Sequence, residues 1–168
     1  YAHVTYYFNG GLEEPVWGED RSLIPSPKDV ATYDKKPSMS AFEVSKEVLK
    51  GLSSEKYHFI LVNFANGNMV GHTGNEKAAI AAVEVLDECL SRIVPEAVKR
   101  DFEILITADH GNCELMVDPE TKVPFTQHTL FPVPLIWVSR KEDETRRAID
   151  GTLADIAPSV LQLMGLKP

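Results

Sequence analysis

Cysteine is scarce in this sequence: Cys89 and Cys113 are the two in 168 residues. Two cysteines cannot build a disulfide framework. One bridge remains open, but a reducing cytoplasm is the simpler expectation. No apolar run approaches the ~18 residues that a membrane span needs. Positive charge is in deficit, with 17 Lys and Arg against 25 Asp and Glu, a net charge of −8. That excludes the basic footprint of a nucleic-acid binder and a dock on an anionic membrane surface. An anionic substrate stays open, because a metal supplies local positive charge inside an acidic protein. Glycine, at 10 residues and without a triplet period, rules out collagen. The opening YAHVTYYF has no initiator Met and no basic segment leading into an apolar one, as a signal peptide would. With a predicted strand starting almost at once, it reads as the start of a fragment. What is present is ordinary globular composition, 43% hydrophobic and 25% charged, for one domain or a large piece of one. Repeats and low-complexity tracts are absent.

The patterning alternates strands with helices. His3 to Phe8 is β-branched and aromatic and predicts a strand, stopped by Asn9-Gly10-Gly11. Residues 11–39 hold Pro15, Pro25, Pro27 and Pro37 and read as a long ordered loop, of the kind that is functional or covers something. Ser40 to Glu43 has the spacing of a capping box, predicting a helix to about Leu49 closed by Gly51. Tyr57 to Phe64 is a nearly continuous apolar run that suits a buried parallel strand. A longer helix is expected from Asn75, with Ile80, Val83, Leu86, Leu90 and Ile93 as its apolar stripe and a kink or restart at Pro95. Phe102–Thr107 and Leu135–Val138 predict two more strands. A last helix starts near Thr152 and Asp155 and stops at Gly165. The expected architecture is α/β, a mostly parallel sheet flanked by helices.

Candidate chemistry gathers on the histidines, because open α/β sheets place their sites at strand ends. Asp109 and His110 follow the Phe102–Thr107 run directly. A carboxylate and an imidazole suit zinc, manganese or iron. The two reach one ion only if the backbone turns there, and Gly111 permits a turn. A solvated turn accounts for the same residues. In Asn66 to Gly74, Asn68 and His72 lie four apart, on one side of any helical turn. Glycine at 67, 71 and 74 lets backbone approach a ligand. A glycine-rich loop with His72 capping the next helix is the plainer alternative. His128 stands in a loop before Pro132-Val133-Pro134, where a lone histidine is ordinarily solvated. His3, on its predicted strand, is expected to be a packed core residue, and His58 to sit on a polar edge. Neither is given a role.

Together the segments are more specific than any alone. NFANGNMVGHTG, ITADHGN and HTLFPVPLIWV, with YAHVTYYFNGG and GEDRSLIPSPKDVATYD, resemble the cofactor-independent (2,3-bisphosphoglycerate-independent) phosphoglycerate mutases of the alkaline phosphatase superfamily. The resemblance runs from Tyr1 to the closing GTLADIAPSVLQLMG. It implies an alkaline-phosphatase-like fold, with residues 1–168 as the C-terminal portion of the metal-binding phosphatase domain. It also implies interconversion of 3-phosphoglycerate and 2-phosphoglycerate, a small phosphorylated substrate, with two divalent metals. Those are usually manganese, with zinc or cobalt possible. His72 and His128 resemble ligands of one ion, and Asp109 and His110 ligands of the other.

Two departures accompany the resemblance. Asn68 stands where the family places an Asp on the first metal, offering a neutral oxygen instead of an anionic one, which weakens binding. The nucleophilic Ser, a further metal-binding Asp, a Lys just before the Tyr-Ala-His segment and the inserted transferase domain lie outside these residues. The missing N-terminal part of the same protein is therefore an expected partner, and no catalytic residue is assigned to this chain. Alternatives are another phosphomutase or phosphatase of the superfamily, or a non-catalytic metal-binding fragment.

Overall fold

The computed structural model describes residues 1–140 and 147–167. The chain divides into two compact units, one of residues 1–93 with 112–128 and one of residues 94–111 with 129–168.

In the first unit, helix α1 spans Ala41–Ser53, α2 spans Asn66–Gly71, and α3 begins at Glu76 and runs to Lys99. Its core gathers Met39, Val70, Ala78 and Ala82, with Tyr33, Ala65 and Met69 packed against them. Small alanines on α3 let α2 come close enough to bury Val70 completely. The start of α3 falls where the sequence places it: the Asn75 side-chain oxygen accepts the Ala78 N–H at 3.2 Å. The stripe does so only toward its end, where Ile93 is buried and Leu86 and Leu90 are half-buried. The buried face is Ala78, Ala79, Ala82, Cys89, Ile93 and Ala97, while Ile80 and Val83 are 55% and 51% exposed. Pro95 does not restart the helix, since α3 continues through it to Lys99. Burial of Ile93 and Ala97 on either side offsets the ~3 kcal/mol that proline costs in a helix.

Two predicted strands fail in this unit for one shared reason. His3 to Phe8 is not a strand but a 3-10 turn over Ala2–Val4 followed by further turns. Its backbone is satisfied locally, by Tyr7 N–H to Ala2 O at 3.0 Å and Asn9 N–H to Thr5 O at 2.8 Å. His3 is exposed rather than part of a core. Tyr57 to Phe64 forms neither strand nor helix, and Phe59, Leu61 and Val62 stay 40%, 40% and 37% exposed. A strand is a pairing, and among the described residues neither segment has a strand partner. His58 is exposed, as expected. The Ser40 hydroxyl donates to the Pro25 carbonyl at 2.7 Å instead of capping α1. Gly51 lies inside α1, and the left-handed position after the helix falls to Glu55, φ 54°.

The second unit holds both strands. β1 spans Ile104–Thr107 and β2 spans Leu135–Val138, paired antiparallel with Ile104 opposite Val138 and Thr107 opposite Leu135. Both segments match the sequence reading, but the expected parallel sheet is not found among the described residues; the two-stranded sheet is antiparallel. Glu103 braces the pair, accepting from the Trp137 indole at 2.8 Å and the Ser139 hydroxyl at 3.0 Å. A 3-10 turn at Leu153–Asp155 leads into α4, Ile156–Leu163. Thr152 and Asp155 form a reciprocal capping box there, and Gly165 takes φ +73° after the helix. Helices with a short sheet make the chain α/β.

Candidate metal centre

Helix α2 is poor helical sequence, since Gly67 and Gly71 each cost about 1 kcal/mol relative to alanine. Contacts from outside hold it. The Asn66 carboxamide donates to the Pro37 and Ser38 carbonyls at 2.8 and 2.9 Å. The Cys113 thiol donates to the Gly67 carbonyl at 2.9 Å. The His72 N–H closes the last turn on the Asn68 carbonyl at 3.1 Å. Four residues of helix thus bring Asn68 and His72 to one side. Gly74, φ +67°, then turns the chain into α3. A Cβ there would come within 2.7 Å of Pro124.

The third residue arrives on a separate loop. Asp118 caps a turn by accepting the N–H groups of Glu120 and Thr121 at 2.9 and 2.7 Å. Those bonds, that from Thr121 first, hold its carboxyl below the ordinary aspartate range. Val117 and Pro124 bridge antiparallel, and the Phe125 N–H bonds the Met116 carbonyl at 2.9 Å. The returning arm of this turn brings Thr126 and His128 to His72 and Asn68.

There three side chains converge. His128 Nε2 lies 2.7 Å from Asn68 Oδ1 and 3.0 Å from His72 Nε2. The two rings are 4.8 Å apart between centroids. His72 Nδ1 is 2.6 Å from the Thr126 carbonyl. A carbonyl only accepts, so Nδ1 carries the hydrogen, and in the neutral ring Nε2 presents its lone pair. The His128 Nε2–H then points between an imidazole lone pair and an amide oxygen. Replacing that one proton by a cation leaves three donors facing it. Two ligands at ~2.1 Å on a tetrahedral ion stand ~3.4 Å apart. The two separations therefore fit a divalent ion after opening by about 0.4 and 0.7 Å. Among the described residues no group of three His, Cys, Asp or Glu side chains has such a geometry; the third donor here is a carboxamide.

Beside His72 lies a cavity of about 410 Å³, lined also by Thr32, Tyr33, Asp34 and Met69. Asp34 is held ionised below its ordinary range, first by the Thr32 hydroxyl. A carboxylate on this wall favours positive charge nearby. The sequence reading passed over Asp34, Asn112 and the Thr126 carbonyl. Asn112 alone carried a signal, as the last residue of ADHGN.

In the second unit Asp109 and His110 form their own pair. His110 Nε2 stands 3.6 Å from Asp109 Oδ1. Its Nδ1 lies 3.2 Å from the Gly111 carbonyl, which again leaves Nε2 for a ligand role. Two ~2.1 Å bonds span up to ~4.2 Å, so the 3.6 Å separation is within what one ion could bridge. Gly111 does not need a left-handed turn for this; it pairs with Thr129 in an antiparallel bridge.

A family model described as the metalloenzyme superfamily matches residues 1–168. The chain is 56% identical to a 2,3-bisphosphoglycerate-independent phosphoglycerate mutase of Clostridium acetobutylicum and 52% identical to one of Clostridium perfringens. Each match covers 99% of this chain and 32% of the relative. The chain thus spans about a third of the length of the curated relatives it matches. A crystal structure of Leishmania mexicana phosphoglycerate mutase, obtained at low cobalt concentration, superimposes with a TM-score of 0.88 at 30% identity. It covers 99% of this chain and 33% of that one. The match over every residue, on a chain whose own donors converge as a cation site requires, places it in the metalloenzyme superfamily.

Proposed function

We propose that this chain supplies metal-holding residues of a cofactor-independent phosphoglycerate mutase. The observation that carries the reading is the convergence of Asn68 Oδ1, His72 Nε2 and His128 Nε2 within 3.0 Å steps. Asn68, His72 and His128 hold one divalent ion, and Asp109 and His110 hold another. Manganese is the proposed metal, with zinc or cobalt as substitutes. Bound there, such ions offset phosphate charge and stabilise a leaving alkoxide. The chain's own residues fix donor direction: Thr126 sets the His72 tautomer, and the 116–125 hairpin holds His128 in place. The substrate pair is 3-phosphoglycerate and 2-phosphoglycerate, in the cytoplasm. The serine that takes the phosphoryl group belongs to the N-terminal part of the protein, and the inserted transferase domain is likewise outside this chain. The half-exposed Phe59, Leu61 and Val62 give that part an apolar edge to cover.

A second reading, a metal-binding fragment without catalysis, draws on Asn68 itself, whose neutral oxygen leaves a dication less compensated. Calorimetric titration with manganese of the chain and its Asn68→Asp variant tests the site. The aspartate form is expected to bind about tenfold tighter or more, since ligand charge tunes such affinities strongly. Equal affinities remove position 68 from the ligand set. Phosphorus NMR on the chain joined to its N-terminal part, with 3-phosphoglycerate, then separates the mutase from the silent fragment.

A further inference from the structure

Asn112 is buried to 5% exposure, yet it belongs to none of the donor groups above. Its Nδ2 faces Asn68, 3.4 Å from the side-chain oxygen and 3.5 Å from the backbone carbonyl. Its own Oδ1 is buried without a hydrogen-bond partner. The reason for that unpartnered oxygen lies in Gly71. A Cβ on Gly71 would sit 2.0 Å from Asn112 Oδ1, so the carboxamide occupies the space that a side chain at 71 would fill. The next residue, Cys113, grips the Gly67 carbonyl at 2.9 Å. Asn112 N–H is tied back to Glu114 at 2.6 Å. A buried amide is thus wedged against α2, with its donor end on the oxygen that also faces His128.

The cost of that placement points to its purpose. An unsatisfied buried carbonyl costs about 1–3 kcal/mol. A leucine of the same shape would avoid it and fill the same space. What leucine cannot supply is an N–H aimed at Asn68 Oδ1. The Met69 sulfur, 3.9 Å from Asn68 Nδ2, marks the nitrogen end, and the His128 Nε2–H now on the oxygen gives way where a cation takes that proton's place; the Asn112 donor stays on the oxygen in both cases. An amide turned the other way presents N–H groups to the ion position, where they repel a cation.

We propose that Asn112 is a positioning residue, which holds the Asn68 carboxamide with its oxygen toward the metal position, and that Gly71 is glycine to admit it. The inference rests on the reading of Asn68 as a ligand. Partners of this kind typically cost 10–100-fold in metal affinity when removed. Manganese titration of the 168-residue chain is the test, as a cycle of Asn112→Leu, Asn68→Ala and the double variant, with folding followed by circular dichroism. Asn112→Leu is expected to weaken binding about tenfold and to change nothing further once Asn68 is alanine. A purely structural role would lower affinity equally in both backgrounds, and that result overturns the proposal. So does an unchanged affinity in a folded Asn112→Leu variant. Should that variant not fold, NMR of the unsubstituted chain decides. The Asn112 side-chain amide protons are expected to shift on zinc addition and to lose exchange protection in Asn68→Ala; no change in either overturns the proposal. If the unsubstituted chain binds no divalent ion, the ligand reading itself falls and takes this one with it. Binding that ignores position 112 removes this one alone.

Discussion

Tyr57 to Phe64 and Phe102 to Thr107 look alike as sequence, two apolar runs each followed by metal-binding residue types. They fold differently. Ile104–Thr107 pairs with Leu135–Val138 and is braced by Glu103. The earlier run pairs with no strand among the described residues, and its Phe59, Leu61 and Val62 remain about two-fifths exposed. Composition decides that a segment prefers extension; only a neighbour with free N–H and C=O groups turns extension into a strand. The run at 57–64 therefore carries the chemistry of a sheet member without the sheet.

Hydrogen exchange probes that contrast most directly. Amides of β1 that bond to β2 should exchange about a hundredfold more slowly, or more, than those of Phe59 to Val62, because unpaired segments open at little cost. Comparable rates would mean that the earlier run is paired after all. Truncation comes next. Ile106→Ala is expected to cost about 2 kcal/mol in urea unfolding, and Leu61→Ala less than about 1 kcal/mol, as a half-exposed side chain. On the protein joined to its N-terminal part, the Leu61 cost should rise toward that of Ile106. A Leu61 cost that does not move would remove this run from the proposed edge.

The smallest effect is one of pH. Asp20 anchors the start of the run, accepting from Lys56 and from the Tyr57 hydroxyl, the latter at 2.6 Å. Lys56 first, and then Tyr57, hold its carboxyl below the ordinary aspartate range. A depressed pKa means that the anchor is complete above the ordinary value and lost as pH falls below it. Between pH 5 and pH 2 the Tyr57 ring resonances should drift toward free-tyrosine values while those of Trp137 hold. Equal drift in both would show general unfolding instead. Being exposed, the pair adds little to stability.

Elements that satisfy themselves locally were legible in the sequence. The Asn75 start of α3 and the Thr152 and Asp155 box follow from residues within a few positions, and β1 and β2 were legible as extended-prone runs though not in their pairing. Elements that need distant partners were not. The strand at His3 to Phe8 dissolved into turns, and at the start of α3 the buried face settled on Ala78 and Ala82, packed with Val70 of α2. The approach of His72 to His128 was read from the resemblance together with strand-end position, and the structure places their Nε2 atoms 3.0 Å apart. Asn112 escaped notice because its meaning depends on Gly71, 41 positions away (112 − 71). Nothing in local pattern links a buried amide to a missing side chain.

The loop from Thr126 to His128 has a consequence beyond geometry. It lends one imidazole and dictates the tautomer of the other through the Thr126 carbonyl. His72 and His128 are therefore not two separate contributions. Any change that lifts the loop removes one donor and frees the other ring to present a hydrogen where a lone pair stood. If the proposed site holds, the two positions are expected to behave as a single non-additive unit in a manganese-binding cycle, with the hairpin turned by Asp118 as the support common to both rings.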